Sequence, residues 1–97
     1  MGGNDVKPYV LRLYVTDATP KSARAIVNAR RILEEHLAGD YSLEILDIAE
    51  HVALAAQDQI ICAPTLLRLA PAPARRIIGD MSDEARVLKG LDVPVGR

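Results

Sequence analysis

The feature that most constrains this chain is a long amphipathic helical pattern held between two strand-like runs. From Lys21 to Leu37 apolar residues recur at helical spacing. At about 100° per residue, Ala25, Ile26, Ala29, Ile32, Leu33 and Leu37 share one arc, and Arg24, Asn28, Arg31, Glu34 and Glu35 fall mostly opposite. Thr19 suits an N-cap, Pro20 the first helical position and Gly39 the stop. Before the helix, Tyr9 to Val15 (YVLRLYV) is rich in β-formers. Tyr9, Leu11, Leu13 and Val15 line one face, and Val10, Arg12 and Tyr14 the other, so a central strand covered on both sides is expected. After it, Tyr41 to Ile48 alternates as a second strand. Strand, long helix, strand is a βαβ unit, which predicts parallel strands and a right-handed crossover.

The second half gives weaker signals. Ala49 to Gln59 is alanine-rich and predicts a short, weakly anchored helix. Ile60 to Asp80 (IICAPTLLRLAPAPARRIIGD) holds Pro64, Pro71 and Pro73, an apolar run and the pair Arg75 and Arg76. The order helix, strand, strand, helix would complete a thioredoxin-like β-α-β-α-β-β-α domain, with Thr65 to Leu69 and Ala74 to Ile78 as an antiparallel hairpin. Pro64 then stands where such folds place a cis-proline, an isomer that X-Pro bonds adopt at low cost. Local propensity disagrees, because Leu66, Leu67, Arg68, Leu69 and Ala70 are good helix formers and only Thr65 is β-branched. A local preference at odds with the global fold marks a segment whose structure is set by context. Ser82 followed by Glu84 predicts a last helix capped by Ser82 and stopped at Gly90, and Pro94 bars its continuation.

Chemistry is limited by what the chain lacks. Cys62 is the sole cysteine, so dithiol redox chemistry and an internal disulfide are excluded, and a buried, inert thiol is expected. The place of a thioredoxin Cys-x-x-Cys is taken by Thr16 to Ser22 without cysteine. His36 and His51 are isolated in the sequence, His36 reading as a helix-end histidine over the core, so no metal site and no cofactor are expected. Net charge is −1 with three Tyr and no Phe or Trp, which argues against nucleic-acid binding. With no secretory leader and no run of about 18 apolar residues, a cytoplasmic chain without a membrane anchor is expected. There is no phosphate loop and no nucleophile elbow, so a non-enzymatic binding or regulatory module remains. The 97 residues suit one domain, with 1–7 and 93–97 expected to be flexible.

The blocks YVLRLYV at Tyr9 to Val15, TPKS at Thr19 to Ser22, APTL at Ala63 to Leu66, ARRIIGD at Ala74 to Asp80 and VLKGLD at Val87 to Asp92 resemble the KaiB family of circadian clock proteins. The similarity spans roughly Lys7 to Asp92. It implies a regulator that is not an enzyme and that alternates between two folds sharing the N-terminal βαβ. One is a resting fold, self-associated as a dimer or tetramer. The other is a thioredoxin-like, partner-binding state. It further implies binding of that state to a KaiC-type ATPase ring, modulation of the KaiC phosphorylation cycle and capture of KaiA. Carried over by position, Tyr9, Gly90 and Asp92 would bias the fold equilibrium. Pro64, Pro71 and Pro73 would supply slow steps, and Arg12, Arg24, Arg68, Arg75 and Arg76 would be candidates for partner contact. Pro71-Ala72-Pro73 in place of three prolines, Glu44 where relatives carry Lys, and an end without an acidic tail mark a divergent member, and weaken the expectation of KaiA capture more than that of KaiC binding. The alternative is a fixed thioredoxin-like interaction or sensor domain of a kinase or stress-response pathway, without redox activity.

Overall fold

A computed structural model describes residues 7–16 and 19–93. The elements follow in the order β1 (Tyr9–Val15), α1 (Pro20–Leu37), β2 (Tyr41–Asp47), a 3-10 turn (Ile48–Glu50), α2 (Val52–Gln57), β3 (Thr65–Ala70), β4 (Arg75–Ile78) and α3 (Glu84–Gly90). The four strands form one sheet in the order β2-β1-β3-β4. β1 runs parallel to β2, with Tyr9 opposite Tyr41 and Val15 opposite Asp47. It runs antiparallel to β3, and β3 pairs antiparallel with β4. This is the thioredoxin-like α/β arrangement expected from the order of elements, with β1 central.

The first half forms for local reasons. The Thr19 hydroxyl accepts from the Ser22 amide at 3.1 Å, Pro20 opens the helix, and Gly39 takes φ +80°, a conformation that glycine adopts without penalty. Ala25, Ala29, Ile32, Leu33 and Leu37 of α1 are buried against Leu11, Leu13 and Val15 of β1, and Leu66, Ile77, Val87, Leu88 and Leu91 complete that core. The opposite face of the sheet carries a smaller cluster of Tyr14, Leu46 and Ala55 beneath α2. The alternation of β1 thus feeds two layers at once.

The second half closes with less local help. The Ala63-Pro64, Ala70-Pro71 and Ala72-Pro73 peptide bonds are cis. Gln59, Met81 and Asp92 have positive φ (58°, 64° and 55°), a region that non-glycine residues occupy only where surrounding contacts hold them. The cap of the last helix differs from expectation. Asp83, not Ser82, is the N-cap, its carboxylate accepting from the Arg86 amide at 3.1 Å. Ser82 instead donates its own amide to Asp80 Oδ1 at 3.0 Å, a short Asx turn that moves the helix start one residue on. Gly90 is the last residue of α3, and the left-handed turn that ends it falls on Asp92. Of the ends expected to be flexible, 1–7 and 93–97, residues 1–6 and 94–97 lie outside the described residues, as do Asp17 and Ala18, whereas Val93 is buried in the main core with its amide donating to the Leu88 carbonyl at 3.0 Å.

Candidate functional site

No single cleft gathers the singled-out residues. They lie along three seams where the chain after Gln57 is fastened to β1 and α1 or to itself. The first seam is centred on Asp58, just past α2. Arg12 Nη1 donates to Asp58 Oδ2 at 2.8 Å, and the Tyr14 hydroxyl donates to the same oxygen at 2.6 Å. Burial of Asp58 works against its charge, but the Tyr14 and Arg12 hydrogen bonds together outweigh it, leaving the carboxyl below its ordinary value. Tyr14 is fully buried, and its phenol is pushed up to about 12, first by burial and then by its bond to Asp58. Arg12 also meets Glu44 across the parallel pair at 3.4 Å. Glu44 therefore gives Arg12 a second carboxylate partner. Arg76 closes the seam from β4, donating to the Gln59 and Asp58 carbonyls at 2.9 and 3.2 Å.

The second seam joins the polar face of α1 to the segment from Asp80 to Glu84. Arg24 Nε meets Asp80 Oδ2 at 3.2 Å, and the Asn28 amide donates to the Asp80 carbonyl at 2.9 Å. Bonds from Ser82, and then from Arg24, hold the Asp80 carboxyl below its usual range. Arg31 Nη1 donates to Glu84 Oε1 at 3.0 Å, and His36 Nε2 lies 2.7 Å from Glu84 Oε2. These bonds, with His36 first, lower Glu84 as well. The isolation of His36 in sequence is thereby corrected: its carboxylate partner arrives from a position 48 residues away, which no local spacing signals.

The third seam is internal. Arg68 is 2% exposed, because β3 points it into the core beside Leu66. Its guanidinium donates to the Leu91 carbonyl at 2.7 Å and the Pro73 carbonyl at 2.8 Å, tying the end of α3 to the β3–β4 turn. Nε is buried with no partner among the described residues. Arg68 therefore offers no surface to a partner in this fold. The expectation of contact at Arg68 is carried over by position from the family resemblance; here its charge is spent on the chain's own carbonyls. Arg75, by contrast, is exposed. With Arg86, Lys89 and the carboxylate of Asp83 it rims a groove of about 590 Å3 floored by Ile77 and Gly90. Gly90 allows α3 to lie close to β4, since an added Cβ would run into Ile77 Cδ1. Tyr9, at the start of β1, packs against the main core, and its amide donates to the Asp40 carbonyl at 3.0 Å.

Cys62 also departs from expectation. It is exposed in the loop between α2 and β3, not buried.

With these seams in place, similarity to known proteins is informative. The model of the KaiB domain matches residues 12–93.

The chain belongs to the KaiB family.

It is 48% identical over 87 residues to the circadian clock oscillator protein KaiB of Parasynechococcus marenigrum (strain WH8102), covering 90% of this chain and 84% of that one. To KaiB of Nostoc sp. (strain PCC 7120) it is 47% identical over 87 residues, covering 90% and 81%. Among solved structures it resembles the N-terminal domain of Synechococcus elongatus SasA, with TM-score 0.71, 19% identity and coverage of 100% and 95%. It also resembles mitochondrial thioredoxin 3 of Saccharomyces cerevisiae, with TM-score 0.71, 13% identity and coverage of 89% and 78%. At these identities the structural likenesses speak for the thioredoxin-like fold alone, and the KaiB membership rests on sequence. Among the described residues, no helix of this KaiB-family chain is long and apolar enough to cross a membrane.

Proposed function

We propose that this KaiB-family chain is a non-enzymatic clock regulator. In the thioredoxin-like state described above it binds a KaiC-type ATPase ring and modulates the ring's phosphorylation cycle. The observation that carries this reading is the KaiB match across residues 12–93. The chemistry is consistent with it: a lone thiol has no resolving partner in the sequence, and the prominent polar residues fasten the fold together. Partner contact falls to the exposed cations, with Arg75 beside Arg86 and Lys89 on the β4–α3 groove and Arg24 on α1, supported by Arg12 and Arg76 at the first seam. Three cations against the one carboxylate of Asp83, over an apolar floor, suit an acidic, partly apolar segment of a partner. Self-association in a second, resting fold completes the proposal, as do the biasing roles of Tyr9, Gly90 and Asp92 and slow steps at Pro64, Pro71 and Pro73; the departures at Pro71-Ala72-Pro73 and Glu44 count against KaiA capture more than against KaiC binding. The chain works in the cytoplasm as a single domain spanning 1–97.

The test is prolonged incubation with a KaiC-type hexamer in ATP, followed by size-exclusion chromatography. Co-elution that weakens in Arg75→Glu is expected. Absence of any complex at high concentration after long incubation would overturn the reading.

A second reading is favoured by the internal tie at Arg68, which fixes α3 to the hairpin. It is a permanently thioredoxin-like interaction or sensor domain. It requires a single set of backbone resonances and a monomer at all concentrations.

A further inference from the structure

The second seam holds a group of side chains that fastening alone does not account for. Glu35 and His36 stand in the last turn of α1, and Glu84 is the first residue of α3. Each offers one ligand atom, and these atoms lie within 4.8 Å of one another. The His36 side chain is only 9% exposed, and its Nε2 is aimed at Glu84 Oε2. Both carboxylates already converge on a cation: Arg31 Nη1 sits 3.0 Å from Glu84 Oε1 and 3.8 Å from Glu35 Oε1. That guanidinium is half-exposed, so it can swing into water. Beside the group lies an open cavity of about 580 Å3, lined by His36, Glu84, Ala85, Leu88, Lys89 and Val93.

We propose that Glu35, His36 and Glu84 form a binding site for one divalent transition-metal ion of the zinc class, clasping α1 to α3. Two carboxylates and a neutral imidazole carry a charge of −2, matched to such an ion. Nitrogen and oxygen ligands sit about 2.0–2.2 Å from zinc, so ligand atoms around a tetrahedral ion are roughly 3.4 Å apart. Closing from the observed spread requires the exposed Glu35 side chain to turn inward, Arg31 to withdraw and the 2.7 Å His36–Glu84 contact to open to about 3.4 Å. A fourth position, facing the cavity, is left to water. Lys89 on the cavity wall disfavours a second cation there. The imidazole selects zinc, cobalt, nickel or copper over magnesium or calcium, which prefer all-oxygen sites. Because the ligands come from both helices, the ion would hold the start of α3 in place.

The experiment is a calorimetric titration of Zn2+ into the full chain, in a Cys62→Ser background because the exposed thiol could bind zinc by itself. One equivalent is expected to bind. His36→Gln and Glu84→Gln should each weaken it by at least about tenfold, the loss that even an outer-shell partner costs such sites. Arg31→Ala should tighten it, by removing the competing cation, and His51→Gln should leave it unchanged. Excess Mg2+ should not compete. In parallel, Zn2+ should slow amide exchange across residues 84–90 of the parent but not of Glu84→Gln, with circular dichroism verifying that each variant is folded. The absence of saturable binding overturns the proposal. So does binding undiminished in both His36→Gln and Glu84→Gln, which would mark an adventitious ion only.

Discussion

The two halves of this molecule reach their structure by different routes. In the first, β1, α1 and β2 follow from signals within the segment itself: the 3.6-residue apolar stripe of α1, the Thr19 cap with Pro20, the glycine at φ +80° and the alternation of β1. In the second, β3 is built from residues that prefer helix, and non-glycine residues occupy the left-handed region at Met81 and Asp92. A buried arginine bonds carbonyls from two separate places. The first half would be recognisable in isolation. The second is specified by what it docks against. A segment whose structure depends on its surroundings is one whose structure a partner can alter, and this gives the proposed two-state behaviour a physical basis.

The largest effect that could break this contrast is at Arg68. Arg68→Ala leaves the Leu91 and Pro73 carbonyls without their charged donor, and a cost of about 3 kcal/mol is expected from the loss of a buried, charge-assisted group. Denaturant unfolding should show that loss, and exchange at α3 should rise more than exchange at α1. Equal loosening of both helices would contradict the division into halves.

The first seam comes next. Tyr14→Phe removes a hydroxyl bonded to Asp58 at 2.6 Å, for about 1.5–2 kcal/mol. It also changes the acid limb. Asp58 is held below its ordinary value of 3.8, so its contribution is fully present above about pH 4 and is lost as pH falls through the lowered value. With one of the two lowering bonds gone, acid unfolding of Tyr14→Phe should begin at higher pH. The alkaline limb runs the other way. The Tyr14 phenol is raised to about 12, so its contribution is complete below the ordinary value of 10.0 and lost as pH rises through about 12. Ultraviolet titration should show a late phenol ionisation that disappears in Tyr14→Phe.

How much of this could be read from residues alone depends on the range over which each feature is decided. The βαβ unit is legible because periodicity and capping are local, whereas the hairpin follows only from the order of elements, against the helix preference of Leu66 to Ala70. The burial of Arg68 is not legible, since an arginine in a strand reads as exposed or partner-facing until the end of α3 is brought over it. Glu84 at His36 and Asp58 at Tyr14 are missed for the same reason: 48 and 44 residues separate the partners. Asp83 caps α3 in place of Ser82 because its carboxylate accepts from the Arg86 amide while Ser82 bonds back to Asp80, a choice between two neighbouring cap-competent residues that composition does not rank. The exposure of Cys62, in the loop between α2 and β3, runs against the usual burial of free cysteines.

A smaller effect sharpens the contrast at Gly90. Alanine there should gain about 1 kcal/mol of helix propensity, but its Cβ meets Ile77 Cδ1, and displacing that methyl costs a comparable amount. Gly90→Ala alone should therefore change stability little. In an Ile77→Val background, where Cδ1 is absent and the Cγ1 contact at 3.1 Å is left, the same change should stabilise α3 by up to about 1 kcal/mol. A double-mutant cycle by thermal unfolding measures the coupling, and strict additivity would refute the packing argument. Smallest of all, Asp92→Gly should stabilise by about 0.5 kcal/mol through relief at φ 55°.

The most direct test of the central claim is backbone NMR assignment of the free protein from Thr65 to Asp92. If the second half is set by context and has two structures, those residues will give two slowly exchanging sets of resonances, one carrying the strand, strand, helix pattern of β3, β4 and α3. Residues in α1 will keep helical shifts in both sets. A single thioredoxin-like set at every concentration, with exchange protection in α3 equal to that in α1, would contradict the account.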